Sequence, residues 1–380
     1  MTTAMMDEDV DEEPATRGTD EVDVLDSLGD LYLQVGGDVE KKAKTYLVCS
    51  RSLARVSTVF EKMLYGGFAE SRPTDAAYKR WTVELPDDRQ EPTELLLHIA
   101  HGRFDRVPEQ LELTRLYQFL VVVNKYDAAG ATRPWARGWL EFVQAATLNP
   151  LLLGVAYELG HLPTFEIMMR KIADECLVDD DGDLVFGFAS DHREAYSYKL
   201  RNIEYLAPPG LLEDTASTRM KLLTTMLEPY ASLYATLKHG DRCQSSPQDP
   251  TSGRRCDSIL LGSLIRSFAA QGIDLAAPDP AAAYRGSAAT LQAILPRLEL
   301  YTSQHPGILL TQPSSPLPSP FGQAPRPHFG FVQAACKQEL EAALRDGLER
   351  SLVLKGQVMF SQPRHGEYLR KQASKTGLTQ

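Results

Sequence analysis

The sequence has few cysteines, no long apolar run and no excess of basic residues. Its five cysteines are an odd and widely scattered set, which excludes the disulfide framework of a small secreted domain. No apolar run is long enough to span a bilayer, and the first residues have neither the basic start nor the apolar core of a signal peptide. We therefore expect a cytoplasmic or nuclear protein that does not associate with membranes.

The charge of the chain is concentrated at its amino-terminal end. The formal net charge is −11 at pH 7, and residues 1–30 hold 11 acidic residues and one arginine, a net charge of −10. The rest of the chain is therefore almost neutral and has no basic field to attract nucleic acid. The acidic head also has few large apolar groups to offset the entropy of ordering, so we predict that it is disordered up to about Val24.

A strand hairpin followed by a helical run is predicted between Asp30 and Ser71. Apolar and polar residues alternate from Leu31 to Val35, which is typical of a strand with one buried face. A turn at Gly36-Gly37 then leads to a second strand at Tyr46 to Val48. Apolar residues recur at helical spacing from Leu53 to Leu64, and glycines end that run. Because strands lead directly into helices, an α+β domain is expected.

The remaining elements are mostly helical. Alternation at Trp81, Val83 and Leu85 predicts a third strand, and apolar stripes predict many helices after it. The expected order is a helix from Glu91 to Gly102, a helix from Leu113 to Tyr126, helical stripes up to Cys176, helices from Pro208 to Lys238, a polar loop from His239 to Arg255, an apolar helix from Ser258, a helix near Ala288 to Tyr301, a last helix from Phe331 to about Leu352 and a mildly basic tail.

The first third of this pattern resembles the BTB/POZ domain. That family ends its first strand in a valine-glycine pair, matched here by Val35-Gly36, and continues with an aromatic, a valine, a histidine, a leucine, a serine and a phenylalanine at fixed offsets. The matching residues are Tyr46, Val48, Cys49, Leu53, Ser57 and Phe60. Cys49 departs from the pattern, because a histidine is common there. Val123-Asn124-Lys125-Tyr126 looks like a variant of the family's alanine-aspartate-lysine-tyrosine run, so the resemblance covers roughly residues 26–128.

The resemblance implies a domain organisation. The segment Ala156 to Gly160 is similar to the helical extension of many fungal BTB proteins. We therefore predict a small sheet with helices, followed by a mainly α-helical carboxy-terminal region. The predicted divisions are a disordered acidic tail at 1–24, a BTB/POZ domain at 25–130, a helical extension at 131–302, a Pro/Ser-rich loop at 303–329 and a carboxy-terminal helix and tail at 330–380.

The resemblance also implies a binding loop at Phe68, Ala69 and Glu70. BTB adaptors of RING-type ubiquitin ligases carry an apolar-x-Glu triplet here, which binds the cullin scaffold. An apolar side chain that enters a groove, with a carboxylate beside it, suits such an interface. The alternative is an ordinary loop whose Phe68 packs on its own domain. The predicted function is therefore a protein-interaction module, a substrate adaptor for a cullin-RING ligase.

A homo-oligomeric scaffold or transcriptional co-regulator without direct DNA binding is the alternative function. In dimeric BTB domains the amino-terminal segment and first helices pair across a two-fold axis. The acidic residues before Asp30 disfavour that arrangement here, although a homodimer through the helices stays open.

We expect no enzyme activity and no cofactor, because no catalytic set is visible. Zinc is the strongest metal hypothesis, and its candidate ligands are His239, Cys243, Cys256, His328 and Cys336. Neither of the two cysteines in the polar loop belongs to a close C-x₂₋₄-C pair, so buried or idle thiols are favoured. The run Asp179–Asp183 suggests calcium, but Leu184 and Ser190 stand where an EF-hand needs glycine and glutamate. His98 and His101 are interpreted as surface or packing residues.

Overall fold

The computed structural model describes residues 21–73, 80–146, 149–187, 197–203, 205–239, 242–243, 250–302, 344–346, 348–350, 353 and 363–378. The chain forms two compact units, unit 1 at Met1–Trp139 and unit 2 at Leu140–Gln380. Both contain helices and a small sheet, so the predicted α+β class is confirmed. Among the helices described, none combines the length and apolarity needed to cross a bilayer.

Unit 1 is built on a four-stranded sheet of order β1-β3-β2-β4. Its strands are β1 Val22–Val24, β2 Leu31–Val35, β3 Lys44–Val48 and β4 Thr82–Leu85. The predicted hairpin is the antiparallel pair β2–β3, whereas β4 joins β2 in parallel. Because side chains alternate across a strand, the apolar residues of β2 all face the core and are fully buried.

The helices of unit 1 follow the sheet in the predicted order. They are α1 Ser50–Val56, α2 Thr58–Tyr65, α3 Gln90–Ala100, α4 Leu113–Lys125 and the start of α5 Ala136–Ala146. The helical run expected from Leu53 to Leu64 is divided in two at Ser57, whose backbone is extended. Its hydroxyl accepts a hydrogen bond from the Phe60 amide (3.0 Å) and so caps α2.

The residues that carry the family resemblance form the core of unit 1. Phe60 stacks on Tyr126 with ring centroids 4.2 Å apart, and the Ser57 hydroxyl donates to the Tyr126 carbonyl at 2.5 Å. The Tyr126 hydroxyl donates to Asp88, which also pairs with Lys125 at 2.6 Å. These contacts join α2 to the end of α4 across a long sequence separation.

Strand β1 lies inside the segment that was expected to be disordered. Residues 22–24 pair in parallel with residues 45–47 of β3, and the carbonyl of Val24 accepts a hydrogen bond from the Arg103 side chain at 2.8 Å. The prediction of disorder up to Val24 is therefore wrong for these three residues. The acidic composition around residues 22–24 does not favour an ordered strand. Pairing with β3, which is distant in sequence, stabilises the strand.

Unit 2 is mainly helical around a small antiparallel sheet of order β5-β6-β7. Its strands are β5 Leu177–Val178, β6 Leu184–Gly187 and β7 Ser197–Lys199. Its helices are α6 Leu151–Leu159, α7 Leu162–Glu175, α8 Leu211–His239, α9 Pro250–Ala269, α10 Pro280–Ala283, α11 Ala288–Ile294 and α12 Pro363–Thr376. Apolar residues of α8, α9 and α11 form one continuous core.

Three expectations for unit 2 are wrong in detail. Helix α9 begins at Pro250, not near Ser258, because proline is tolerated where a helix needs no backbone donor. The helix expected up to Tyr301 ends at Ile294 and continues as a short 3-10 turn that contains Pro296. The carboxy-terminal tail forms α12, one face of which is buried. The Pro/Ser-rich loop at 303–329 lies outside the described residues.

Candidate protein-interaction site

The loop after α2 presents the predicted triplet on a fixed backbone. Gly67 has a positive φ of +83°, which favours glycine. The Ser71 hydroxyl accepts hydrogen bonds from the amides of Gly67 (3.0 Å) and Phe68 (2.9 Å), and donates to the Met63 carbonyl at 2.9 Å. One side chain therefore ties the loop back to the last turn of α2.

The side chains of Phe68, Ala69 and Glu70 point away from the domain. Phe68 is 61% exposed, and the other two are exposed as well. The Glu70 carbonyl accepts a hydrogen bond from the Trp81 indole at 3.0 Å, which anchors the far side of the loop. This exposure disfavours the alternative that Phe68 packs into its own domain, although one edge of its ring lies close to Gly66. The loop combines a backbone held by hydrogen bonds with an exposed aromatic ring and an exposed glutamate side chain.

The surface beside the loop is partly apolar. Val59 is 37% exposed and Tyr65 is 43% exposed, and the edge of the Phe68 ring lies close above Gly66. The Tyr65 hydroxyl is 2.6 Å from that of Ser50, which is itself bound to Asp30 at 2.8 Å. These contacts fix α2 relative to the start of β2, so the loop is presented from a rigid support.

A second polar group in unit 1 is a structural ion cluster. The Lys44 ammonium lies 2.7 Å from Glu94 and 3.2 Å from Asp23, and the Tyr46 hydroxyl donates to Glu94 at 2.9 Å. Burial alone would raise the pKa of Glu94, but hydrogen bonds from Lys44 and Tyr46 hold it below its usual value. Burial, together with Glu94, raises the pKa of Tyr46 well above its usual value. Neither group titrates near neutral pH, as acid–base catalysis would require.

This cluster borders a cavity of about 520 Å³ between α3 and α4. Both acids and bases line it, among them Glu91, Arg106 and Arg115. Arg115 pairs with Glu91, and Arg106 lies 3.5 Å from Asp105. Because these cations already have carboxylate partners, the cavity has no marked preference for a ligand of one charge.

The two predicted packing histidines have different roles. His98 lies 3.5 Å from Glu94 at the cavity, and its Nδ1 atom is buried without a partner among the described residues. His101 lies one turn further along, where its Nε2 accepts a hydrogen bond from the Cys49 amide at 2.9 Å. Its Nδ1 lies 2.8 Å from the Leu97 carbonyl and donates to it. The His101 imidazole therefore contacts the backbone of Cys49.

The acidic run Asp179–Asp183 encloses a lysine. The Lys199 ammonium lies 3.0 Å from Asp179, 2.9 Å from Asp181 and 2.9 Å from Asp183. The hydrogen bond from Lys199 lowers the pKa of Asp179. The three carboxylates are close enough together to hold a metal ion, but the ammonium occupies the point where they converge. The cluster therefore joins the β5–β6 turn to β7.

The predicted zinc ligands are only partly within the described residues. Cys243 and Cys256 pack against each other as buried cysteines that form no disulfide, and His239 is exposed at the end of α8. His328 and Cys336 lie outside the described residues, so the preference for idle thiols over a zinc site stays a prediction.

The contact between α6 and α12 contains residues that sequence reasoning missed. Glu158 is 4% exposed and His365 is 1% exposed, and both contact the opposite helix. The sequence signals that favour α12 are Leu369 and Ala373, four positions apart, and Gly377, which has a φ of +77° after the last turn. Basic residues on the exposed face conceal this pattern.

Comparisons with known proteins leave the family open. Neither a family model, nor a curated protein, nor a solved structure matches this chain.

Proposed function

We propose that unit 1 is a BTB/POZ-type protein-interaction module and that its Phe68-Ala69-Glu70 loop binds the cullin scaffold of a RING-type ubiquitin ligase. The observation that carries this proposal is the loop itself. Phe68 is 61% exposed on a backbone that the Ser71 hydroxyl holds through three hydrogen bonds. A large exposed aromatic ring on an ordered loop is typical of a binding anchor.

The position of the family-pattern residues supports the first part of the proposal. Tyr46, Val48, Leu53 and Phe60 are fully buried, and Ser57 bridges α2 to the end of α4. Residues that match a family pattern because they build its core are expected at such positions. The antiparallel hairpin, the helix pair and the third strand also follow in the order that the resemblance implies.

The chemistry of the loop supports the second part. The Phe68 ring can enter an apolar groove of a partner, and exclusion of water from that contact supplies most of the binding free energy. The Glu70 carboxylate beside it favours a basic or hydrogen-bond-donating rim, which selects among partners. The ordered backbone keeps the entropic cost of binding low.

The experiment is a binding titration of the full chain with the amino-terminal domain of a cullin scaffold, by calorimetry. We expect the double variant Phe68→Ala, Glu70→Ala to lose binding by at least 100-fold, about 2.8 kcal/mol at 1.4 kcal/mol per factor of ten. The melting temperature should stay the same, because both side chains are exposed.

The matched control is Leu28→Ala, which removes an apolar side chain that is 90% exposed in the same unit. This control should bind as the native chain does. Equal binding by the double variant and the native chain would refute the role of the loop. Absence of binding by the native chain would refute the choice of a cullin as partner.

A further inference from the structure

Helix α12 buries one face against α6 in unit 2. The buried residues lie at positions i, i+4, i+7, i+8 and i+11, the spacing of one helix face. They are His365, Leu369, Gln372, Ala373 and Thr376. The opposite face carries the exposed Glu367, Arg370 and Lys371. Helix α12 is therefore an amphipathic helix lying in a groove.

The groove recognises α12 mainly through polar contacts. The Tyr368 hydroxyl donates to the Glu158 carboxylate at 2.8 Å, and the Thr376 hydroxyl donates to the Leu159 carbonyl at 2.7 Å. The Tyr368 ring stacks on Tyr157 with centroids 4.5 Å apart. Such contacts require particular side chains on the docked helix, whereas a purely apolar groove accepts many sequences.

The amino-terminal half of α12 is held by an aromatic site. His365 is 1% exposed and lies against the rings of Tyr157 (5.6 Å) and Phe165 (5.7 Å). Its Nδ1 is 3.2 Å from the Tyr157 hydroxyl, and its Nε2 is 3.9 Å from Asp214 on α8. Helices α6, α7 and α8 thus each contribute to the groove.

Gly160 lets the two backbones touch. It has a φ of +79°, and a methyl group on it would overlap the backbone of Leu369 and Ala373. A side chain at Gly160 would therefore push the two helices apart, and the close approach favours a small residue at the buried position of Ala373. The close approach makes the groove a built site for one helix, with a defined register.

The fit at the centre of the groove is incomplete. The Gln372 side chain donates to Glu158 at 3.3 Å, but its Oε1 atom is buried and has no partner among the described residues. Burial of a carboxylate and of an unpartnered amide oxygen both oppose docking, because each group would be hydrated in an open groove. The net free energy of docking is therefore smaller than the buried area implies.

We propose that this groove is a reversible helix-binding site, that α12 is its internal ligand, and that it takes amphipathic helices of partner proteins in exchange. The preferred partner helix has a tyrosine at the position of Tyr368, a small residue at that of Ala373 and a lysine at that of Gln372. A lysine there forms a charge-assisted contact with Glu158 and leaves no amide oxygen buried. The site lies in unit 2 and does not depend on the Phe68 loop.

The test uses the full chain and a fluorescent peptide of residues 363–378, followed by anisotropy. The variant Leu369→Asp places a charge at a side chain that is 2% exposed, which releases α12 from its own groove. We expect the peptide to bind this variant saturably and the native chain at least ten-fold more weakly, because the tethered helix competes at high effective concentration. A peptide with its own Leu369→Asp change is the control and should not bind.

The lysine preference is tested in the same assay. A Gln372→Lys peptide should bind the released variant several-fold more tightly than the native peptide, and a Glu158→Gln change in that variant should abolish the gain. An equal or weaker affinity for the lysine peptide would overturn the assigned partner chemistry. A lack of saturable binding to a released variant that keeps its helical circular dichroism would overturn the site.

Hydrogen exchange on the native chain provides the second measurement, needed if Leu369→Asp fails to fold. If α12 docks reversibly, its amide hydrogens should exchange with solvent faster than those of α6 and α7. Equal protection of the three helices would show that α12 is a fixed part of the core and would overturn the proposal.

Discussion

Partly or fully buried polar side chains in this protein bind backbone groups that the helices and strands leave unpaired. Asp30 accepts a hydrogen bond from the Ser50 amide at 2.8 Å, and His101 accepts one from the Cys49 amide at 2.9 Å. Arg219 donates to the carbonyls of Cys176, Tyr284 and Gly286 in unit 2. A buried backbone group without a hydrogen-bond partner lowers the free energy of unfolding. Substitution of any one of these side chains should therefore destabilise the fold.

The stability of unit 1 should fall in acid because of His101. Burial lowers the pKa of this imidazole, so the folded state favours the neutral ring that accepts from Cys49. An unfolded histidine has a pKa of about 6.5. As the pH falls through that value, the unfolded state binds the proton first and the free energy of unfolding decreases. The contribution is fully present above about pH 6.5 and is lost as the pH approaches the lower folded value.

The measurement is urea unfolding from pH 8 to 5, followed by tryptophan fluorescence. All three tryptophans, Trp81, Trp135 and Trp139, belong to unit 1, so this signal follows that unit. The variant His101→Gln cannot titrate and should be less stable at pH 8, with a difference from the native chain that shrinks as the pH falls. A constant difference across this range would exclude His101 as the source.

Arg219 should be among the most sensitive positions of unit 2. It is 4% exposed, and its guanidinium lies 2.7–3.2 Å from its three carbonyl partners. Arg219→Met leaves these carbonyls without a donor and should cost about 3 kcal/mol or more. Arg219→Lys should be intermediate, because a single ammonium cannot reproduce the planar fork.

Denaturant unfolding followed by circular dichroism at 222 nm would measure this loss. The control is Arg266→Met on the exposed face of α9, which should change stability by less than about 0.5 kcal/mol. Equal effects of the two methionine variants would mean that the three hydrogen bonds contribute little.

At the scale of elements, local patterns predicted the hairpin and most helices of unit 1. Strand β2 (Leu31–Val35) and helix α4 each have one buried face. Their apolar residues therefore recur at the spacing of a strand or of a helix, and this spacing is visible in the local sequence. The position of the loop could also be predicted, because Gly66 and Gly67 end α2, whereas the exposure of Phe68 was left open. The contacts that hold this loop, from Ser71 and from Trp81, could not be read from spacing.

Elements that depend on distant partners were missed for a physical reason. Strand β1 has three residues and is defined by its pairing with β3. Helix α12 is polar on average and is stabilised by its contact with α6, more than 200 residues away in sequence. Neither element has enough local apolar signal to compete with the acidic or basic residues around it.

The loop after α2 should bind its partner more weakly when its backbone is released. Ser71→Ala removes the acceptor for two amides and the donor to Met63. Those amides lie in an exposed segment, so water can replace the hydroxyl and the stability of unit 1 should change by less than about 1 kcal/mol. Ordering the loop on binding should then cost about 0.5–1.5 kcal/mol, a loss of roughly 2- to 10-fold in affinity.

Calorimetry with the cullin domain would measure that loss, and hydrogen exchange at residues 67 and 68 would report the loop directly. Ser71→Thr keeps the hydroxyl and serves as the control. Native affinity for Ser71→Ala, together with faster exchange of these amides, would show that binding does not need the ordered loop.

At the scale of the whole molecule, the pairing of β1 bears on the choice between the proposed adaptor and the alternative of a homo-oligomeric scaffold. In a swapped BTB dimer the amino-terminal segment pairs across a two-fold axis, but here β1 pairs with β3 of the same chain, Val22 opposite Thr45 and Val24 opposite Leu47. A dimer that exchanged this segment would therefore have to replace the β1–β3 pair within each chain. We expect the full chain to be a monomer of 42.2 kDa at micromolar concentration and to form a mixed complex with the cullin domain.

Light scattering after size exclusion tests this expectation on the full chain, alone and with the cullin domain. The net charge of −11 lies almost entirely in the acidic head, where repulsion between copies could oppose self-association at low salt. The measurement is therefore made at low and at high salt. A monomer in both conditions, with a mixed peak in the presence of the cullin domain, supports the adaptor. A mass of two chains that persists at high salt, without a mixed peak, would favour a self-associating scaffold. Such a dimer would use a surface other than the β1–β3 pair.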